Sequence, residues 1–282
     1  IVNNEYQIDF HRFKQKMNYF VETSVPRFTE FNELKESVIA NYRKSLKINE
    51  LKPRVLNSFV RNKLINQVYL PLIGANLAKQ MGVAGDNKRT ARMGMLLLLS
   101  PPGYGKTTLM EYLANIMGLN FVKINGPTIG HSITSIDSAE AKTSGAREEL
   151  KKINLSFAMA ANVMLYLDDI QPCSAEFLQK FISLADGQRK MDGIFDGESK
   201  TYDLRGKRFC IIMAGNPYTE SGEKFQIPDM LANRADVYNL GDVIGDSANL
   251  FKLSLLENAI VENPYIQKVA GKSFNDFYNL VE

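Results

Sequence analysis

The sequence lacks the features that would place it in several large classes. No apolar run approaches the roughly 18 residues a membrane-spanning helix needs, so no membrane association is expected. Tryptophan is absent, and there are only two cysteines, Cys173 and Cys210. These fit a reducing compartment, a single disulfide being the most they could form, and a cytoplasmic location is the expectation. No internal repeat and no low-complexity tract occurs. The first ten residues, IVNNEYQIDF, carry no initiator Met, basic n-region or apolar h-region, so an excerpt of a longer chain is expected rather than a secretory precursor.

What is present is ordinary in bulk. The 282 residues are 45% hydrophobic and 23% charged, with a formal net charge of +3. A chain of this length buries a core unaided and has room for one large domain plus an appendage. The charge is unevenly spread. From Lys35 to Lys63 eight Lys/Arg face two Glu, while beyond Arg234 three Lys face seven Asp/Glu. Such runs are consistent with solvated helix surfaces, with a basic face for nucleic acid, or with a charge-complementary contact between subunits.

Periodicity divides the chain into three parts. Residues 1–80 read as helices and connectors: 28–46 is helix-patterned, Pro53 suits a first turn, and Leu56, Phe59, Val60, Leu64 and Val68 recur at helical spacing. After a polar, Gly-containing connector at 82–92, strand and helix alternate. Strands are expected at 95–100, 121–125, 163–168, 209–215 and 235–240. Helices are expected from Thr107, over 145–160, over 175–185 and near Pro228, with a hairpin between 188 and 208. This alternation predicts an α/β core over 81–245 with a parallel sheet and helices on both faces. Residues 246–282 read as the start of a helical lid.

The segment Ser100-Pro-Pro-Gly-Tyr-Gly-Lys-Thr107 carries the most chemistry. A strand, a Gly-rich turn with Lys-Thr, then a helix is the context of a P-loop. Glycines let several backbone N–H groups converge on one anion, and the helix N-terminus adds its positive dipole end. Pro102, Gly103, Tyr104, Gly105, Lys106, Thr107 and Thr108 are therefore candidate nucleotide-binding residues. Lys106 would reach the β- and γ-phosphates of ATP, and the Thr107 hydroxyl would ligate Mg²⁺. The pattern departs from the usual one at its first position, which is Ser100 instead of Gly.

Two further strands end in polar residues. Val163–Asp169 is an apolar run closed by two carboxylates, which a parallel sheet delivers to its ligand edge. Asp168 suits a metal and its hydration shell, and Asp169 suits orienting or deprotonating a water. Ile211–Pro217 ends in Asn216, placed to hold the same water. Arg234, at the end of a short helix, could neutralise developing charge on a neighbouring subunit's γ-phosphate.

In this order the set SPPGYGKTT, VMLYLDD, IIMAGNP and NRAD resembles the Walker A, Walker B, sensor-1 and arginine-finger elements of AAA+ ATPases. The stretch Leu178 to Pro217 resembles the MoxR and dynein-related branch. The wording of Tyr218 to Asp242 is similar to large bacterial proteins labelled DNA repair ATPases. The resemblance, over roughly 60–245, implies a five-stranded sheet of order 5-1-4-3-2, dependence on ATP and Mg²⁺, and self-association into a ring of six subunits. It also exposes two departures. Relatives close the second motif with Asp-Glu, whereas Asp169 is one methylene shorter, and displacements of about 1 Å can cost about 10²-fold in rate. No Arg follows Arg234, so a sensor-2 role would fall to Lys252 or Lys268 or to sequence beyond this chain.

The expected function is a motor that hydrolyses ATP to remodel a protein or nucleic-acid complex. The alternative is a slowly hydrolysing, ATP-gated scaffold or a nucleic-acid-binding assembly module. Basic residues of the 188–208 hairpin suit a phosphate backbone. The segment 126–137 lacks the aromatic that protein-threading relatives carry there, and His131 within it reads as a surface residue.

Overall fold

The computed structural model describes residues 9–53, 65–81, 94–102, 105–195, 197–218, 222, 224–240, 253 and 256. The expected lid at 246–282, the 82–92 connector, the apolar positions 56–64, and both Gly103 and Tyr104 thus lie outside the described residues, apart from Leu253 and Leu256. Contacts divide the chain into two compact units, Ile1–Leu51 and Lys52–Glu282.

In the first unit, helix α1 (Phe10–Tyr19) is capped by Asp9, whose carboxylate accepts from the amides of His11 and Arg12. A π-helical stretch, Phe20–Ser24, leads into helix α2 (Val25–Ser45). No residue of these three segments is buried. Phe10, Phe13, Phe20, Phe28, Phe31 and Tyr42 all stand exposed along them.

The second unit is built on a parallel sheet. Its elements in chain order are helix α3 (Leu70–Gln80), strand β1 (Met95–Leu99), helix α4 (Lys106–Ile116), strand β2 (Asn120–Asn125), the short helix α5 (Gly126–Ile129), helix α6 (Ser144–Met159) and strand β3 (Val163–Asp168). The short helices α7 (Ala175–Gln179) and α8 (Ile182–Ala185) follow in place of one continuous helix. Strands β4 (Lys190–Phe195) and β5 (Glu198–Asp203) then form the hairpin, before strand β6 (Phe209–Gly215), helix α9 (Asp229–Ala232) and strand β7 (Ala235–Asn239).

The five parallel strands lie in the order β2-β3-β6-β1-β7. Numbered among themselves and read from the other edge, this is 5-1-4-3-2. Composition explains the order: MLLLL, VMLYLD and FCIIMAG are apolar almost throughout, as strands covered on both faces must be, and they occupy the centre. NFVKIN and ADVYN mix polar with apolar residues and take the edges.

Helix α3 belongs with this sheet, although sequence reading draws the boundary after residue 80. Ile73 and Leu77 join a core cluster with Leu96, Leu98, Leu113, Tyr166 and Ile212. The reason sequence hides this is polar. Buried Gln80 exchanges hydrogen bonds with the Ile211 backbone at 2.8 and 3.2 Å and donates to Asn76 at 2.7 Å, while Asn76 donates to Asp236. Each buried amide finds partners, which makes its burial tolerable.

Phe157 of α6 lies beside Phe181 and Phe209, and Phe177 meets Phe181 edge-on with ring centres 5.4 Å apart. The Asn154 side chain accepts from Ile194 N at 2.7 Å and so pins the hairpin to α6. Gly193 permits this approach, since a Cβ there would stand 3.0 Å from both Asn154 and Tyr202. Lys200 stands exposed on β5 near the turn, with its ammonium over the Tyr202 ring, while other basic residues of the hairpin are engaged away from the turn. Arg189 is fully buried and donates to Phe209 O, Arg205 pairs with Asp203, and Arg208 donates to Met117 O. Both cysteines are free and buried, and burial pushes each thiol up to about 12. Among the described residues, no helix is long and apolar enough to cross a membrane.

Candidate functional site

All five parallel strands run the same way, so their C-terminal ends share one edge of the sheet. Ser100 follows β1, Asp168 closes β3, and Asn216 follows β6. Main-chain bonds tie the tips together: Ser100 N donates to Gly215 O and Ile170 N to Ala214 O.

Between β1 and α4 the chain turns through Gly105, whose φ of +72° is a left-handed conformation that glycine adopts without a Cβ penalty. Helix α4 begins immediately after it, with its unpaired N–H groups at the turn. Lys106, only 8% exposed, folds back so that Nζ donates to Ser100 O at 2.7 Å, Ser100 Oγ at 3.2 Å and Pro101 O at 3.4 Å. Burial lowers its pKa, and the nearby Asp169 and Asp168 oppose that shift. Pro102 is exposed and Thr108 half-buried.

Thr107 and Asp168 meet directly, with the hydroxyl donating to Asp168 Oδ2 at 2.9 Å. Tyr166, two residues earlier on the same face of β3, donates to Asp168 Oδ1 at 3.0 Å and stacks on Phe121. Lys123 of β2 reaches across to Asp168 Oδ2 at 2.8 Å. Hard oxygen donors from Thr107 and Asp168 suit a small divalent cation that keeps most of its water. Among the described residues no group of three or more His, Cys, Asp or Glu could enclose a metal, so any cation here would depend on water and ligand oxygens.

Asp169 takes a φ of +50°, uncommon for any residue but glycine and best tolerated by Asn and Asp. Its pKa is raised by desolvation first and by Asp168 second, against Lys106 and Lys123. The backbone of this pair packs on Gly126 at the start of α5. A Cβ on Gly126 would lie 2.2 Å from Asp169 O and 2.8 Å from Asp168 O. Replacing Gly126 with alanine forces backbone apart, and overpacking of this kind costs about 1–3 kcal/mol. Gly126→Ala is expected to lower the thermal midpoint by several degrees; an unchanged midpoint would show that the contact yields freely.

Lys106, Thr107, Asp168 and Asp169 are thus brought together, with Asn216 at the same edge, where its side-chain oxygen accepts from Tyr218 N at 3.2 Å. Arg234 is not with them. It precedes β7, at the opposite end of that strand, roughly 16 Å away at about 3.3 Å per residue. There it pairs with Asp186 at 3.4 Å.

Sequence reading missed four neighbours. Tyr166 looks like a core aromatic, Lys123 like an edge-strand solvent residue and Gly126 like a strand stop. Gln171 buries a side-chain oxygen without a hydrogen-bond partner among the described residues, near Gly215. Period-2 alternation would have put Tyr166 on the face of Asp168, but nothing in the sequence announces Lys123, because parallel register is not legible there. A sequence model of the "ATPase family associated with various cellular activities (AAA)" matches residues 96–238, just over half of the chain and all of the strands just described except the first residue of β1 and the last of β7.

Proposed function

The chain belongs to the ATPase family associated with various cellular activities, and on that premise we propose that it is an AAA+ motor that hydrolyses ATP to remodel a protein or nucleic-acid complex, assembled as a ring, with six subunits the expected number. The convergence of Lys106, Thr107 and Asp168 at one sheet edge carries this reading. In it, residues 81–245 carry the ATPase motifs, helix α3 packs on the same sheet, and 246–282 begin a lid. The motifs favour the MoxR and dynein-related branch, and the likeness of 218–242 to proteins labelled DNA repair ATPases suggests a nucleic-acid setting.

The residues divide the work. Backbone N–H groups of the turn that begins at Pro102, which has none to give, and runs to Thr108 would bind phosphate oxygens. Lys106 would exchange its bonds to Ser100 and Pro101 for the β- and γ-phosphates. Thr107 and Asp168 would hold Mg²⁺, which supplies charge neutralisation when bound with the nucleotide. Asp169 would orient and deprotonate a water, Asn216 would position it, and Arg234 would act on the neighbouring subunit.

Steady-state phosphate release tests the reading. Asp169→Asn keeps the shape and removes the base, so turnover should fall about 10²-fold or more while nucleotide affinity stays unchanged. The shorter side chain at Asp169 favours a second reading, a slowly turning, nucleotide-gated scaffold. Wild-type protein that binds ATP yet releases phosphate no faster than Asp169→Asn would establish the scaffold and overturn the motor.

A further inference from the structure

Asp168 carries more donors than a metal-holding carboxylate of the proposed kind needs. Thr107 and Tyr166 each give it a neutral hydrogen bond, one to each oxygen. Lys123 adds a full positive charge at 2.8 Å from Oδ2, the oxygen that Thr107 also faces. Register places it there: β2 and β3 run parallel with Lys123 opposite Tyr166 and Asn125 opposite Asp168. Successive residues of a strand alternate faces, so Lys123, Asn125, Tyr166 and Asp168 share one side of the sheet. The Asp168 side chain is 14% exposed and that of Lys123 is 47% exposed, so the lysine can leave for water while the aspartate stays. Lys106 does not fill this role, since its ammonium is committed to Ser100 and Pro101.

We infer that Lys123 is a tethered counter-cation for Asp168, which holds the metal-facing oxygen before nucleotide arrives and yields it to the divalent cation that accompanies the phosphates. The inference rests on the Mg²⁺–ATP reading of the site. Without metal, the ammonium offsets the Asp168 charge that would repel a polyphosphate. With metal, it competes for the same oxygen. Lys123 is therefore a positioning residue whose removal acts in opposite directions under the two conditions, which a merely structural residue would not do.

The experiment measures equilibrium binding of a fluorescent ADP derivative to the full chain, in EDTA and over a Mg²⁺ titration, for wild type, Lys123→Met and Lys123→Gln. A half-exposed pair of this kind is worth up to about 1 kcal/mol, so shifts of about 3-fold are expected. In EDTA both variants should bind nucleotide about 3-fold more weakly than wild type. Their half-saturating Mg²⁺ concentration should be about 3-fold lower. Raising the salt should shrink both differences, since the pair is open to screening. The same ratio of variant to wild-type affinity in EDTA and in saturating Mg²⁺, with an unmoved Mg²⁺ midpoint, overturns the inference and leaves the nucleotide reading intact. Wild type that binds no nucleotide under any condition overturns both.

Discussion

Lys106→Ala should lower nucleotide affinity by about 10²-fold or more, read by titration with a fluorescent nucleotide. The magnitude follows from the environment of the ammonium. It is 8% exposed and held by Ser100 and Pro101 in a turn that ends in a left-handed glycine. A phosphate entering that turn would meet a charge already largely stripped of water, and losing one partner of such a pair costs roughly 2–5 kcal/mol. Each 1.4 kcal/mol is tenfold in affinity. The fold should survive the substitution, because the ammonium's hydrogen bonds run to Ser100 and Pro101 of the adjoining loop and the two aspartates act on it through charge. Thermal unfolding close to that of wild type, together with lost binding, is the expected pair of results. Affinity within threefold of wild type would remove the lysine from the phosphate site.

The second large effect concerns Arg234. In this chain it stands at the far end of β7 from Lys106 and pairs with Asp186 across partly exposed side chains. An exposed pair is weak, worth at most about 1 kcal/mol, so the guanidinium is readily released. If it serves the neighbouring subunit, Arg234→Ala should leave nucleotide affinity unchanged and cut assembled turnover by about 10³-fold, the lower range for an arginine supplied in trans. Mixing the variant with Lys106→Ala should partly restore activity, since intact Lys106 sites can then border intact Arg234 residues. Turnover of Arg234→Ala at the wild-type rate would assign the residue to the Asp186 contact alone.

How legible the molecule was depends on which force decided each feature. The central strands announce themselves because MLLLL, VMLYLD and FCIIMAG leave no polar face to solvate, and two of the three observed spans agree with the expected ones to the residue. The Lys106–Thr107–Asp168 grouping was legible for a similar reason, since each residue stands at the tip of such a strand or one turn beyond it. Helix α3 was misassigned to a separate N-terminal part because Asn76 and Gln80 resemble a wet face, and only the partner atoms on Ile211 and Asp236 reveal a dry one. The helix expected over 175–185 breaks near Lys180, where no Gly or Pro marks it. Lys123 and Tyr166 stayed hidden because their roles come from the lateral pairing of β2 with β3, and pairing partners 43 residues apart leave no trace in local composition.

The Gly126 contact has a mechanical consequence. The segment that follows β2 starts so close to the carbonyls of Asp168 and Asp169 that not even a methyl group fits between them. There is no compressible gap between them, so a push on that segment is delivered to the peptide that sets the direction of the Asp169 carboxylate.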